Sequence, residues 1–214
     1  APTLPSVQAV FCIDVRSEVF RRALELTTPA IETLGFAGFF GLPIQYTPLG
    51  TAATRPQLPG LLAPALDVTE STGDAGADAA IAGARRENLA RKGGWLPFKR
   101  MPGSAFTLVE TVGLGDIARL LRHSLARGGD PAPLDATGLD ASAAAARPQL
   151  VLGDTRIAAG ADLARKVLHA MGLEGGFARL VMLAGHGSRS ANNPHAAGLD
   201  CGACCGQTGE VNAR

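Results

Sequence analysis

The chain has 214 residues, 46% of them apolar and 18% charged, and its twenty basic and nineteen acidic side chains leave a formal charge of +1. That balance excludes a wholly disordered polypeptide and gives no electrostatic reason to expect nucleic acid as a partner. The length suits one main core, and the richest apolar stretch, residues 34–44, is interrupted by three glycines and falls short of the roughly 18 residues a membrane-spanning helix needs.

Residues 1–8 carry two prolines and no basic region ahead of an apolar run, so they do not read as a signal peptide. With no initiator Met and no helix-ending signal at residues 211–214, the chain reads as a segment of a longer polypeptide. Residues 7–13 form a near-continuous apolar run, the pattern of a strand buried on both faces. Helical spacing follows over residues 17–26, with Val19, Phe20, Ala23 and Leu24 as its apolar stripe and Arg21, Arg22 and Glu25 turned to solvent. A second strand is expected over 36–44. Residues 47–103 interleave Pro, Thr, Gly and Ala and read as an insertion or cover, with one helix over 78–91.

A third strand is expected over 106–112 and a helix over 116–125. Residues 128–148, rich in Asp, Pro and Ala, read as a linker whose Ala-rich middle admits a short helix. Residues 163–173 form an amphipathic helix that should stop at Gly175-Gly176. Residues 177–184 are a second buried strand leading into Gly185-His186-Gly187. Strands alternating with helices imply a single α/β domain over 1–214, with a mostly parallel sheet covered by helices and a Rossmann-like core carrying an irregular insertion.

Ligands of such sheets gather beyond the carboxyl ends of the strands. Residues two apart on extended chain share a face, so Cys12, Asp14 and Arg16 present a thiol, a carboxylate and a guanidinium together as the first strand runs out. A lone buried Cys packs as a small hydrophobe, but an apolar strand tip has no need of a charged pair beside it. His186 closes the last strand, and parallel strands bring it to the same edge. Four cysteines, three of them within residues 201–205, cannot make a disulfide framework; Cys201-x-x-Cys204 reads as a redox pair or half of a zinc knuckle. Cys204 and Cys205 read as structural, with redox work or ligation as the alternatives, and His195 reads as a loop residue. Phe11, Ile13, Phe39 and Phe40 read as core residues or as the wall of an apolar pocket.

Cys-x-Asp-x-Arg at a strand end, with a distant strand-terminal His and a further Cys, resembles the β-carbonic anhydrases. It departs from their His-x-x-Cys spacing, because fifteen positions separate His186 from Cys201. That departure, together with Phe-Cys-Ile-Asp-Val-Arg-Ser-Glu at 11–18, Gly-Phe-Ala-Gly-Phe-Phe-Gly at 35–41, Gly-His-Gly at 185–187 and the stretch from Asn-Asn-Pro to Cys-Gly-Ala-Cys, is similar to the DabA family. Members of that family are large soluble subunits of a two-part inorganic-carbon accumulation system. The resemblance implies a β-carbonic-anhydrase-like core, with Zn2+ held by Cys12, Asp14, His186 and Cys201 and a catalytic dyad of Asp14 and Arg16. It implies hydration of carbon dioxide to bicarbonate. Because four protein ligands would close the metal to substrate, Asp14 is expected to be exchangeable, leaving the metal to pair with Arg16. The resemblance further implies a DabB-like proton-conducting membrane subunit as partner and a peripheral place on the cytoplasmic face of the cell (inner) membrane. A structural zinc module without catalysis, and a Cys-x-x-Cys redox domain, are the alternatives.

Overall fold

The computed structural model describes residues 4–94, 97, 101, 103, 106–107, 110, 113, 115, 117, 121, 125, 134–146, 148–153, 157–187, 194–204 and 206–214. They divide into two compact units, one of Ala1–Thr47, Ala53–Thr69 and Leu150–Arg214, the other of Pro48–Ala52 and Glu70–Gln149.

The first unit is built on β1 (Val7–Cys12), α1 (Val15–Glu25) and β2 (Ile31–Phe36), a strand, helix and parallel strand. The last strand of the chain (Leu180–Ala184) pairs with the other edge of β1, also parallel, giving a three-stranded sheet with β1 in the middle. A central parallel strand has protein on both sides and at both edges, so Ala9, Val10, Phe11 and Cys12 are all buried, as the unbroken apolar run requires. On this sheet Val10, Phe40, Met171 and Leu173 form a core with Leu34, Phe36, Val167, Leu168 and Val181.

A second, mixed sheet contains β3 (Ile44–Thr47), antiparallel to β4 (Arg55–Gln57) and parallel to β5 (Leu66–Ser71), with β6 (Gln149–Leu152) beyond β5. In the second unit, α2 (Ala75–Gly94) opens on Asp74, whose carboxylate accepts from the N–H groups of Gly76 and Ala77 at 2.7 and 3.0 Å. Its buried Arg85 donates to the carbonyls of Leu49, Thr137 and Asp135. A short helix α3 (Ala141–Ala145) is capped by Asp140. Further along the chain lie α4 (Ile157–Ala170) and α5 (Glu210–Ala213), with β7 (Leu180–Ala184) between them. The molecule is thus of the α/β class expected from its sequence. Among the described residues no helix is long and apolar enough to cross a membrane.

Several local expectations are corrected. Residues 36–44 are not a strand: β2 ends at Phe36, and the glycine-rich turn after it carries Phe40 at φ 50° and Gly41 at φ 70°. Helix α4 ends at Ala170, and Gly172 (φ 78°) just beyond it, with Leu173 N–H bonded back to the Leu168 carbonyl, stops it before the later glycine pair. Of the strand expected over 106–112, the described residues Phe106, Thr107 and Glu110 are helical, as are Ile117, Leu121 and Leu125 of the helix expected over 116–125; their remaining positions lie outside the described residues. Strand β7 is an edge strand with Leu180, Met182 and Leu183 exposed, so it is not buried like β1.

The expected face of α1 is only partly seen: Arg22 and Glu25 are exposed and Leu24 is half-buried as expected, but Val19, Phe20 and Arg21 depart from it. Val19 and Phe20 are 69% and 56% exposed, while Ser17 is buried and the Arg21 side chain is only 18% exposed. The cause is β2, an edge strand whose outer backbone groups lack a strand partner. Arg21 donates to the Thr33 carbonyl and hydroxyl, both at 3.1 Å, and Glu25 accepts from the Thr33 N–H at 2.9 Å and hydroxyl at 2.6 Å. Polar side chains on α1 therefore complete the sheet edge, and Val19 and Phe20 turn outward while Leu24 stays half-buried. The Thr33 hydroxyl and amide also hold the Glu25 carboxyl below its ordinary pKa. A depressed folded-state pKa means that the stabilisation is present above the ordinary glutamate range and is lost as pH falls through the folded value. Glu25→Ala should speed hydrogen exchange of the Thr33 amide roughly fivefold to tenfold at pH 7. The difference from the natural protein should close once pH falls below the glutamate range, and exchange of that amide at a series of pH values measures both effects.

Candidate metal centre

Parallel pairing puts the carboxyl ends of β1 and β7 side by side, with Phe11 opposite Ala184. Cys12 ends β1, almost wholly buried, and His186 lies two residues beyond β7. Cys201 leads into a 3₁₀ turn, Gly202–Cys204, closed by a hydrogen bond from the Cys204 N–H to the Cys201 carbonyl at 3.2 Å. Positions three apart eclipse in such a turn, so Cys201 and Cys204 project together. The sulfurs of Cys12, Cys201 and Cys204 all lie within 4.8 Å of one another, all buried, and Cys12 Sγ is 3.8 Å from Cys204 Sγ. This cluster can hold a metal ion.

The turn after β2 makes room for it. A Cβ on Gly38 would overlap the sulfurs of Cys12 and Cys204 and come within 3.0 Å of the Cys12 Cβ, so only glycine lets the backbone pass. The hydrogen bond from Cys12 draws Cys204 down to about 7 against the opposing effect of burial, with help from Cys201 and the Gly38 N–H. Cys12, donating to Cys204 and desolvated, is pushed far up.

Asp14 divides its carboxylate between two tasks. Oδ1 accepts from the N–H groups of Arg16 and Ser17 at 2.8 and 2.7 Å, capping α1, and the Ser17 hydroxyl accepts from the Asp14 N–H at 3.0 Å to complete a capping box. Oδ2 faces His186 Nδ1 at 3.6 Å and Arg16 at 3.5 Å. Burial would raise the Asp14 pKa, but the Ser17 and Arg16 amides, with His186 and Arg16, outweigh it and hold the group below its usual value. It is therefore a carboxylate at neutral pH.

His186 Nε2 lies 2.8 Å from the Cys12 carbonyl, which can only accept, so Nε2 carries a proton. Nδ1 faces the carboxylate oxygen of Asp14 at 3.6 Å, where a proton or a cation can be shared between them. The carbonyl thereby orients the ring as an outer partner does for a ligating histidine.

Cys12, Asp14, His186 and Cys201, the four ligands expected from sequence, line one small cavity of about 10 Å³, together with Asp200, Gln207 and two glycines. The tight 4.8 Å grouping of donor atoms, however, consists of the three cysteines. Asp14 and Arg16, the expected catalytic pair, also border a broad open cleft of about 470 Å³ whose other walls include Phe11, Phe20, Ala184 and His186. Phe11 and Phe20 meet there edge to face, with centroids 5.6 Å apart. Phe40 belongs to the core and Ile13 is exposed.

Sequence reasoning read Cys204 as structural, although its Cys-x-x-Cys spacing marks it. Asp200 escaped notice. Its Oδ1 accepts from Arg16 at 3.2 Å, beside the Leu199 carbonyl on the same nitrogen at 3.2 Å, and so ties the Cys201 loop to the start of α1. His195 sits exposed on a turn, as expected for a loop residue, while Asn192, Asn193 and Cys205 lie outside the described residues.

One family model, described as "Probable inorganic carbon transporter subunit DabA", matches residues 1–214. A curated relative of that name from Vibrio cholerae serotype O1 (strain M66-2) is 53% identical over 211 residues, 98% of this chain and 24% of its own length. Another, from Ectopseudomonas mendocina, is 55% identical over 216 residues, covering 100% of this chain and 26% of the relative. A third, from Paracidovorax citrulli, is 54% identical over 223 residues, again 100% and 26%. The chain thus spans about a quarter of the length of the curated relatives it matches. No solved structure matches it.

The close passage of the turn after β2 can be tested without reference to function. Gly38→Ala should destabilise the protein by about 1–3 kcal/mol, the usual cost of overpacking. Thermal melting measures that loss, and the metal-free variant should also show faster labelling of Cys12 and Cys204 by a thiol reagent.

Proposed function

Because the chain belongs to the DabA family, we propose that it carries the zinc centre of an inorganic carbon transporter subunit, at which carbon dioxide and bicarbonate interconvert. The observation that carries this reading is the cavity of about 10 Å³ walled at once by two thiols, an imidazole and a carboxylate. Two sulfurs, one nitrogen and one oxygen are a donor set typical of zinc in a tetrahedral site. Cys12, Asp14, His186 and Cys201 would hold it. Zinc there supplies Lewis acidity and makes water a competent nucleophile at neutral pH.

The chain's own residues supply the rest. Phe11, Phe20 and Ala184 give the cleft an apolar wall suited to uncharged carbon dioxide, and Arg16 at its rim suits the bicarbonate anion. Asp14 need not swing away as a whole to meet Arg16. With Oδ1 pinned to the helix terminus, a small rotation moves Oδ2 between the cavity and the guanidinium, and the cap survives. Arg16 is itself steadied by Asp200 and the Leu199 carbonyl, so the dyad is held from both chain segments.

The relatives are named as transporter subunits, which supports the further proposal of a membrane partner, a DabB-like proton-conducting subunit. The protein would then sit peripherally on the cytoplasmic face of the cell membrane. A second reading, zinc as a purely structural brace, is favoured by the third thiol, because three sulfurs tend to close a site.

Full-length protein with its membrane partner tests both. Elemental analysis should find one zinc per chain, lost in Cys12→Ser. Arg16→Ala should keep the zinc while isotope exchange between carbon dioxide and water falls on the order of 100-fold. Zinc retained in Cys12→Ser would sink the metal assignment, and full exchange activity in Arg16→Ala would leave the structural reading.

A further inference from the structure

We propose that Cys204 is an exchange ligand at this centre: it takes the fourth position on the ion when Asp14 gives it up, and so closes the site to the cleft. The inference rests on the zinc reading above and adds a second state to it.

Three observations carry it. The first is distance. Tetrahedral zinc with Zn–S bonds of about 2.3 Å places two thiolates about 3.8 Å apart. Cys12 and Cys204 already stand 3.8 Å apart, and Cys201 lies within 4.8 Å of both. The Cys12–Cys204 pair thus already stands at the spacing one ion requires, with Cys201 close beside it.

The second is the surroundings of Cys204. A buried cysteine that only packs is surrounded by aliphatic side chains. Cys204, 1% exposed, instead forms a small buried cluster with two other thiols, with Ala203 packed beside them, and the Gly38 backbone is pressed against its sulfur. Its position is one that a donor atom occupies.

The third is the divided carboxylate of Asp14. Its Oδ2 has Arg16 on one side and His186 on the other, so whatever draws it toward the guanidinium vacates one position on an ion held by Cys12, His186 and Cys201. Two donors can then compete for that position, water from the open cleft and Cys204 from the buried side. The competition is linked to Arg16, because its partners Leu199 and Asp200 immediately precede Cys201 on the loop that carries Cys204. Movement of Arg16 is therefore felt at the exchanging thiol as well as at Asp14.

Cobalt substitution in the full-length protein reads the number of thiolates directly, through near-ultraviolet sulfur-to-cobalt charge transfer, whatever the activity. Asp14→Asn is the informative variant, since Asn is an equally good helix cap and the fold is kept. Its charge-transfer intensity should rise toward that of three thiolates, by up to about one half over a two-thiolate site. Adding Cys204→Ser to Asp14→Asn should remove the gain and weaken cobalt binding at least about tenfold. Cobalt bound with the same intensity in the natural protein, Asp14→Asn and the double variant would overturn the exchange role and leave the four-ligand site standing. A natural protein that takes up neither zinc nor cobalt would overturn both.

Discussion

The parallel pairing of the first and last strands is the constraint on which the rest depends. Phe11 lies opposite Ala184, so Cys12 at the end of one strand and His186 just beyond the other emerge at one edge of the sheet although 174 positions separate them. Main-chain hydrogen bonds along a buried central strand set that proximity, and buried strands resist slippage because a shift of one residue would turn every side chain to the wrong face. The bond from His186 to the Cys12 carbonyl uses the end of the same strand to orient the ring, so sheet and centre share their last acceptor.

Around that edge, single residues serve structure and chemistry together. Asp14 starts α1 with one oxygen and faces the cavity with the other; removal of the carboxylate would cost the helix its cap as well as the centre its donor. Gly38 has no side chain because two sulfurs occupy the space, and the same turn leads to Phe40 in the core beneath the sheet. Arg16 joins the helix start to the loop of Cys201. Such sharing explains why a cavity that admits about one atom is assembled from three separate stretches of chain.

Helix α1 shows how an unpaired strand edge can outweigh hydrophobic patterning. Arg21 and Glu25 meet the carbonyl and amide of Thr33, groups that would cost about 1–3 kcal/mol each if buried unpaired, while Val19 and Phe20 stay exposed. The outward turn gives Phe20 a role: it reaches Phe11 at the cleft and extends an apolar wall beside the charged dyad.

The sequence by itself determined the α/β class, the central strand and the residues that stand at its end, because an unbroken apolar run and a two-residue spacing depend only on local chain geometry. It also marked Cys-x-x-Cys and the motif order of the family. What it left open was decided by tertiary contacts: which face of α1 turns inward, where β2 ends, that Asp14 caps a helix, that Asp200 holds Arg16, and that Cys204 joins Cys12. Each of these depends on a partner from a distant part of the chain, and periodicity along one segment carries no record of which strand edge or sulfur will be brought against it.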